Sequence, residues 1–256
     1  MKRLPFLLVA FLAALWILPG CEHELVVPEA PDYIPVDTFI IDTTTINDTV
    51  PDLPQDSADY TGVPCDPDTV YFQNTILPLL QSSCAKSGCH DAITHKEGVR
   101  MTDYANIKKE VKAGNPSQSK LYKVLFQNGE EKMPPPPEAD LTAEQKNLIK
   151  KWIEQGALNN ECNENYGGCD TTGITYSGFI YPLLANYCTG CHGGPHPSDG
   201  LDLTTYEYVK NNALSGELYG AISHDPFYKP MPDGGQQLSA CFINKVKAWI
   251  DSGMPQ

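Results

Sequence analysis

"CAKSGCH" (Cys84 to His90) and "CTGCH" (Cys188 to His192) each set two thiols ahead of an imidazole. C-x-x-C-H is the attachment signature of c-type haem. The cysteines add to the two vinyl groups of the porphyrin as thioethers, and the histidine binds the iron as proximal ligand. At spacing i, i+3, i+4, Cys188, Cys191 and His192 fall along one turn of helix. One rigid element then offers all three groups to one macrocycle. The first motif is wider by two residues, but Cys89 and His90 stay adjacent, and a bulged turn at Ser87 and Gly88 has to bring Cys84 back. The expectation is two covalently attached haem c groups. Other chemistries fit less well. A structural zinc site takes four ligands at finger-like spacing, and each cluster offers three. A thioredoxin-type C-x-x-C belongs in a βαβ setting, and no convincing alternating strand runs occur in these segments.

The elements that must position these groups are written twice. "CDPDTVYFQNTILPLLQSSC" from Cys65 and "CDTTGITYSGFIYPLLANYC" from Cys169 lead into the two motifs, with Pro78 and Pro182 at matching places. Gly98, Met101 and Tyr104 match Gly200, Leu203 and Tyr206. "KLYKVL" matches "ELYGAI", and "KMPPPP" matches "PMPDGG". The copies span 65–162 and 169–256, joined by a polar linker over 163–168. Each reads as helical. Thr142 and Gln145 make a capping box, Leu148, Ile149, Trp152 and Ile153 form an apolar stripe, and Gly156 ends the helix. In the twin, Ser239 is the cap, Val246, Trp249 and Ile250 the stripe, and Gly253 the stop. Shorter helices are expected after Tyr104 and Tyr206. The fold class is all-α.

The repeat also selects the sixth iron ligand. Met101 corresponds to Leu203 and Met254 to Ala157, so those positions ask only for packing. Met133 and Met231 alone coincide, each followed by proline, at 43 and 39 residues past His90 and His192. A proline-braced loop suits a thioether held against iron, and His/Met ligation raises the reduction potential relative to His/His. His95 and His196 read as surface residues, His224 as the rival of Met231, and His23 as part of the N-terminal segment.

With these residues in view, both copies resemble the cytochrome c domains of planctomycete and Bacteroidetes exported proteins. The resemblance rests on C-x(2–4)-C-H, "NPSQSKLY", "MPPP" and "LTAEQKNLIKKWIEQGA", and it covers nearly all of 65–256. It implies two tandem, small class I-like helical domains around haem, with electron transfer as the activity. The departures are the wide Cys84 spacing and "MPDGG" in place of a proline run.

Before the repeats, residues 1–20 have a basic start and an apolar run too short for a comfortable membrane span, which fits an export signal. Gly20-Cys21 resembles the lipobox of bacterial lipoproteins, with Pro19 as a departure, and implies cleavage and lipidation at Cys21. Several acyl chains on one residue give a stable membrane anchor. From Glu22 to Pro64 there are ten acidic residues and no Lys or Arg. Residues 21–64 therefore read as a lipidated cysteine followed by a disordered, extended tether. Without Lys2 and Arg3 the chain carries 16 basic and 32 acidic residues, net −16, which argues against nucleic acid as a partner. Glu22 and Glu24 resemble the acidic start of some surface-exported lipoproteins. An anchor at the periplasmic face or the cell surface, with the outer membrane favoured, is the expected location.

Outside the cytoplasm disulfides persist, and four cysteines remain for them: Cys65, Cys162, Cys169 and Cys241. They allow three pairings. The one that closes each repeat on itself joins Cys65 to Cys162 and Cys169 to Cys241. The functional expectation is a lipid-anchored dihaem electron carrier that works with redox partner proteins and is not an enzyme, because two six-ligand irons leave no open position. A dihaem peroxidase would require one iron to lose its distal ligand, at the first site or in the loop Asp233-Gly234-Gly235. A binding or sensory lipoprotein with structural haems is the third class.

Overall fold

The computed structural model describes residues 60–256 apart from Gly235. The expected signal peptide, the lipidation at Cys21 and the tether as far as residue 59 lie outside the described residues. Among the described residues all regular elements are helical, apart from one isolated bridge between Pro64 and Asn163. No helix there is long and apolar enough to cross a membrane.

The two copies fold alike. In the first, a π-helical turn, Phe72–Ile76, runs into α1 (Leu77–Ser83), which carries Pro78 in its first turn. Proline has no N–H to give the turn before it, and the Asn74 carbonyl four residues back accepts from the Tyr187 hydroxyl. Helices α2 (Tyr104–Ile107), α3 (Lys120–Lys123) and α4 (Ala143–Glu154) follow. The second copy repeats the order with a π-helical turn, Tyr176–Ile180, then α5 (Tyr181–Tyr187), α6 (Tyr206–Leu214), α7 (Glu217–Ser223) and α8 (Ala240–Asp251). Helix α6 outruns α2 because the first copy tightens to a 3-10 turn at Lys108–Glu110 and is extended at Val111, whereas the second stays α-helical to Leu214.

The closing helices start and stop where their sequences direct. Thr142 and Gln145 form the reciprocal capping box, and the Ser239 hydroxyl accepts from the Phe242 N–H. Both ends close by a glycine-dependent reversal. Gly156 and Gly253 adopt φ of 99° and 87°, and the N–H groups of Ala157 and Met254 donate to the carbonyls of Trp152 and Trp249 at 2.9 Å each.

Each copy owns a core. Phe72 packs edge-on to Tyr104 and tilted against Trp152, while Tyr176 takes the same place against Tyr206 and Trp249. The indole N–H groups of Trp152 and Trp249 donate to the carbonyls of Leu158 and Pro255, and the hydroxyls of Tyr104 and Tyr206 donate to those of Ala157 and Met254. Cys65 is bonded to Cys162 and Cys169 to Cys241. With sequence separations of 97 and 72 between partners, each bond contributes about 4 kcal/mol in the chain-entropy picture.

The copies meet through α1 and α5. The Ser82 hydroxyl donates to the Asn186 carbonyl at 3.0 Å, Tyr187 to that of Asn74 at 2.9 Å, and the Gln145 amide to that of Ala185 at 2.7 Å. These helices are the ones that lead into the two cysteine motifs.

Candidate prosthetic-group sites

Cys84 and Cys188 stand at the C-terminal ends of α1 and α5, their N–H groups donating to the carbonyls of Leu80 and Leu184 at 2.8 Å each. Beyond them the two motifs close the same way despite their different lengths. The His192 N–H donates to the Cys188 carbonyl at 2.8 Å, and the His90 N–H donates to the Cys84 carbonyl at 3.2 Å. The two added residues are looped out as a turn, in which the Cys89 N–H donates to the Lys86 carbonyl. Gly88 takes φ 81° and its N–H donates to Asp91. A residue with a Cβ is strained at that φ. Downstream the match resumes: Met101 and Leu203 donate to the carbonyls of His90 and His192 at 2.9 and 2.8 Å.

The donor set suits a covalently held haem. The His90 Nδ1 lies 3.1 Å from the Val99 carbonyl. Since a carbonyl only accepts, Nδ1 carries the proton and Nε2 keeps its lone pair for a metal. His192 is 8% exposed, and its Nδ1 is buried without a hydrogen-bond partner. Met133 and Met231 are half-buried, and their N–H groups donate to the carbonyls of Val124 and Ala221. Met101 and Met254 instead are buried within the two apolar cores, so packing accounts for them. Among the described residues no three His, Cys, Asp or Glu side chains converge on an ion site. A porphyrin makes no such demand, because its own nitrogens supply four ligands.

Cys84, Cys89, Cys188 and Cys191 are unpaired and half-buried. Burial pushes the Cys84 thiol up to about 12, against the pull of the Lys86 ammonium, and likewise pushes Cys188 up to about 12. Burial also raises Cys191, opposed by Lys86 from the other copy. Folding thus keeps protons on the Cys84 and Cys188 sulfurs. The folded chain binds more protons than the unfolded one between their ordinary value of 9.0 and about 12, so this contribution to stability is present below that window and lost as pH rises through it. For the chain without haem, iodoacetamide labelling of Cys84 and Cys188 at about pH 8 is expected to be slow and to climb towards pH 12. A labelling profile with its midpoint below pH 9, read by mass spectrometry, would contradict this.

No protein-family model, curated protein or solved structure matches the chain. The site stands on its own geometry.

Three histidines complete the picture. His196 is exposed, as expected. His95 is not a plain surface residue: it is half-buried with φ 26°, and its Nδ1 is enclosed and unpartnered. The turn Lys96–Gly98 folds back over the motif, with the Lys96 N–H on the Cys89 carbonyl. His224 ends α7, and its Nε2 lies 3.0 Å from the Met231 carbonyl. That nitrogen therefore donates to the methionine loop. Sequence reasoning also missed Lys86, Glu138 and Gly190, which meet across the two copies. The two added residues in the first motif were the visible sign of them.

Proposed function

We propose that the chain is a lipid-anchored dihaem cytochrome c, built as two tandem cytochrome c domains, that relays electrons outside the cytoplasmic membrane. One observation supports this above the rest. Of the eight cysteines in the repeats, four are consumed in disulfides, and the four left as thiols are those of the two Cys–His motifs. Two oxidised pairs suit an exported protein, and in such a compartment neighbouring thiols left unpaired call for another covalent partner.

Cys84 and Cys89 with His90, and Cys188 and Cys191 with His192, hold the two groups in this reading. Met133 and Met231 would be the remaining protein ligands, one to each iron. Haem supplies reversible one-electron exchange. The chain supplies the rest: half-buried sulfurs, a His90 imidazole oriented through its Nδ1 proton, and methionines each tied by a backbone hydrogen bond. The acidic surface favours redox partners over nucleic acid. The Cys21 anchor sets the location at the periplasmic face or the cell surface.

The test is an intact mass and a visible spectrum of the mature protein. The expected mass is polypeptide plus lipid plus two haems, with two low-spin c-type centres and a methionine-to-iron charge-transfer band. A colourless protein weighing no more than its polypeptide and lipid would end this reading.

A further inference from the structure

Lys86 occupies the turn that the two added residues create in the first motif. Its ammonium donates to the carbonyl of Gly190 at 3.1 Å and pairs with Glu138, which lies just past the proline run that follows Met133. One side chain, only 19% exposed, thereby ties the first motif both to its own methionine loop and to the second motif. Gly190 lies between Cys188 and Cys191, and a Cβ there would fall 2.3 Å from the Ser82 carbonyl oxygen and 2.5 Å from its carbon. The Cys191 Sγ is 3.6 Å from the same oxygen. The second motif is therefore laid against the last turn of α1, two residues before Cys84. Gly194 adds a further contact, where a Cβ would lie 2.8 Å from the Ala139 Cβ. The second motif has no counterpart of Lys86.

We propose that Lys86 and Gly190 form a clamp between the two haem-attachment motifs, fixing their separation and mutual orientation. The wide spacing of the first motif then has a purpose: it carries the lysine across the interface. Lys86 is a positioning residue, and the inference rests on the haem reading only in naming what the motifs hold.

The test uses the full mature protein and three variants: Lys86→Met, Lys86→Arg and Gly190→Ala. Amide hydrogen exchange in residues 79–86 and 188–192 is expected to speed up on the order of tenfold in Lys86→Met, the factor that one lost charge-assisted hydrogen bond represents. Gly190→Ala should do at least as much. Exchange in α8 should stay as in the wild type, and Lys86→Arg should restore much of the protection. With two haems bound, the Soret circular-dichroism couplet that reports their mutual orientation should shrink in Lys86→Met at unchanged haem content. If Lys86→Met and Gly190→Ala exchange like the wild type, there is no clamp. If the wild type carries no haem, the functional reading falls, while the exchange data still decide whether the two motifs are clamped.

Discussion

Replacing Cys188 and Cys191 together with alanine is expected to halve the covalently bound haem, leaving one group per chain in the first repeat. The reason is that the repeats do not share a core. Leu79, Leu80, Trp152 and their neighbours form one apolar cluster, and Leu183, Leu184, Trp249 and theirs form another. Each repeat also has its own disulfide. Cys188 packs only at the margin of the second cluster, so the substitutions remove little packing and the first repeat stays folded around its own motif. The converse pair, Cys84→Ala with Cys89→Ala, should leave only the second haem, and all four together a colourless chain. Mass and absorbance read the outcome directly. Two haems on the Cys188→Ala, Cys191→Ala protein would mean that those thiols attach nothing, and none at all would mean that the sites are not separate.

The largest expected loss of stability is from Trp249→Ala. Trp249 is 0% exposed, packs against Tyr176 and donates its indole N–H to the Pro255 carbonyl at 2.9 Å. Truncation leaves a cavity and removes one of the two hydrogen bonds to the Pro255 carbonyl, which keeps only that from the Tyr176 N–H. The expected cost is about 3–5 kcal/mol, against a total of roughly 5–15 kcal/mol for a domain. In a protein of this size that lowers the melting temperature by about 6–20 °C. Trp152→Ala should match it, because Trp152 makes the equivalent bond to Leu158. Thermal unfolding followed by calorimetry checks both, and a cost below about 1 kcal/mol would mean that the indole is not central to its core.

Much of the fold was legible because its signals are local. A capping box spans four residues and a glycine stop one; the cap and the stop repeat, so Thr142 and Gly156 are read a second time in Ser239 and Gly253, while Gln145 has no twin. The repeat also separated methionines that pack from those that do not, since Met101 and Met254 align with other residue types. The bulged turn at Ser87 and Gly88 followed from keeping Cys89 beside His90. What stayed hidden depends on residues distant in sequence. Nothing near His224 says that its ring donates to Met231, and nothing near His95 says that its Nδ1 is enclosed. The seating of the second motif on α1 joins Gly190 to Ser82, more than a hundred residues away, and only the folded chain brings them together.

The disulfide connectivity carries a consequence for biogenesis. In a chain emerging from its N-terminus, the first thiol to follow Cys65 is Cys84, yet the partner of Cys65 is Cys162. Cys169 likewise must pass over Cys188 and Cys191 to reach Cys241. An oxidase that joined sulfurs in order of arrival would scramble both modules. Reaching the native pairs without later reshuffling therefore requires the motif thiols to be shielded or already alkylated when the closing helix arrives.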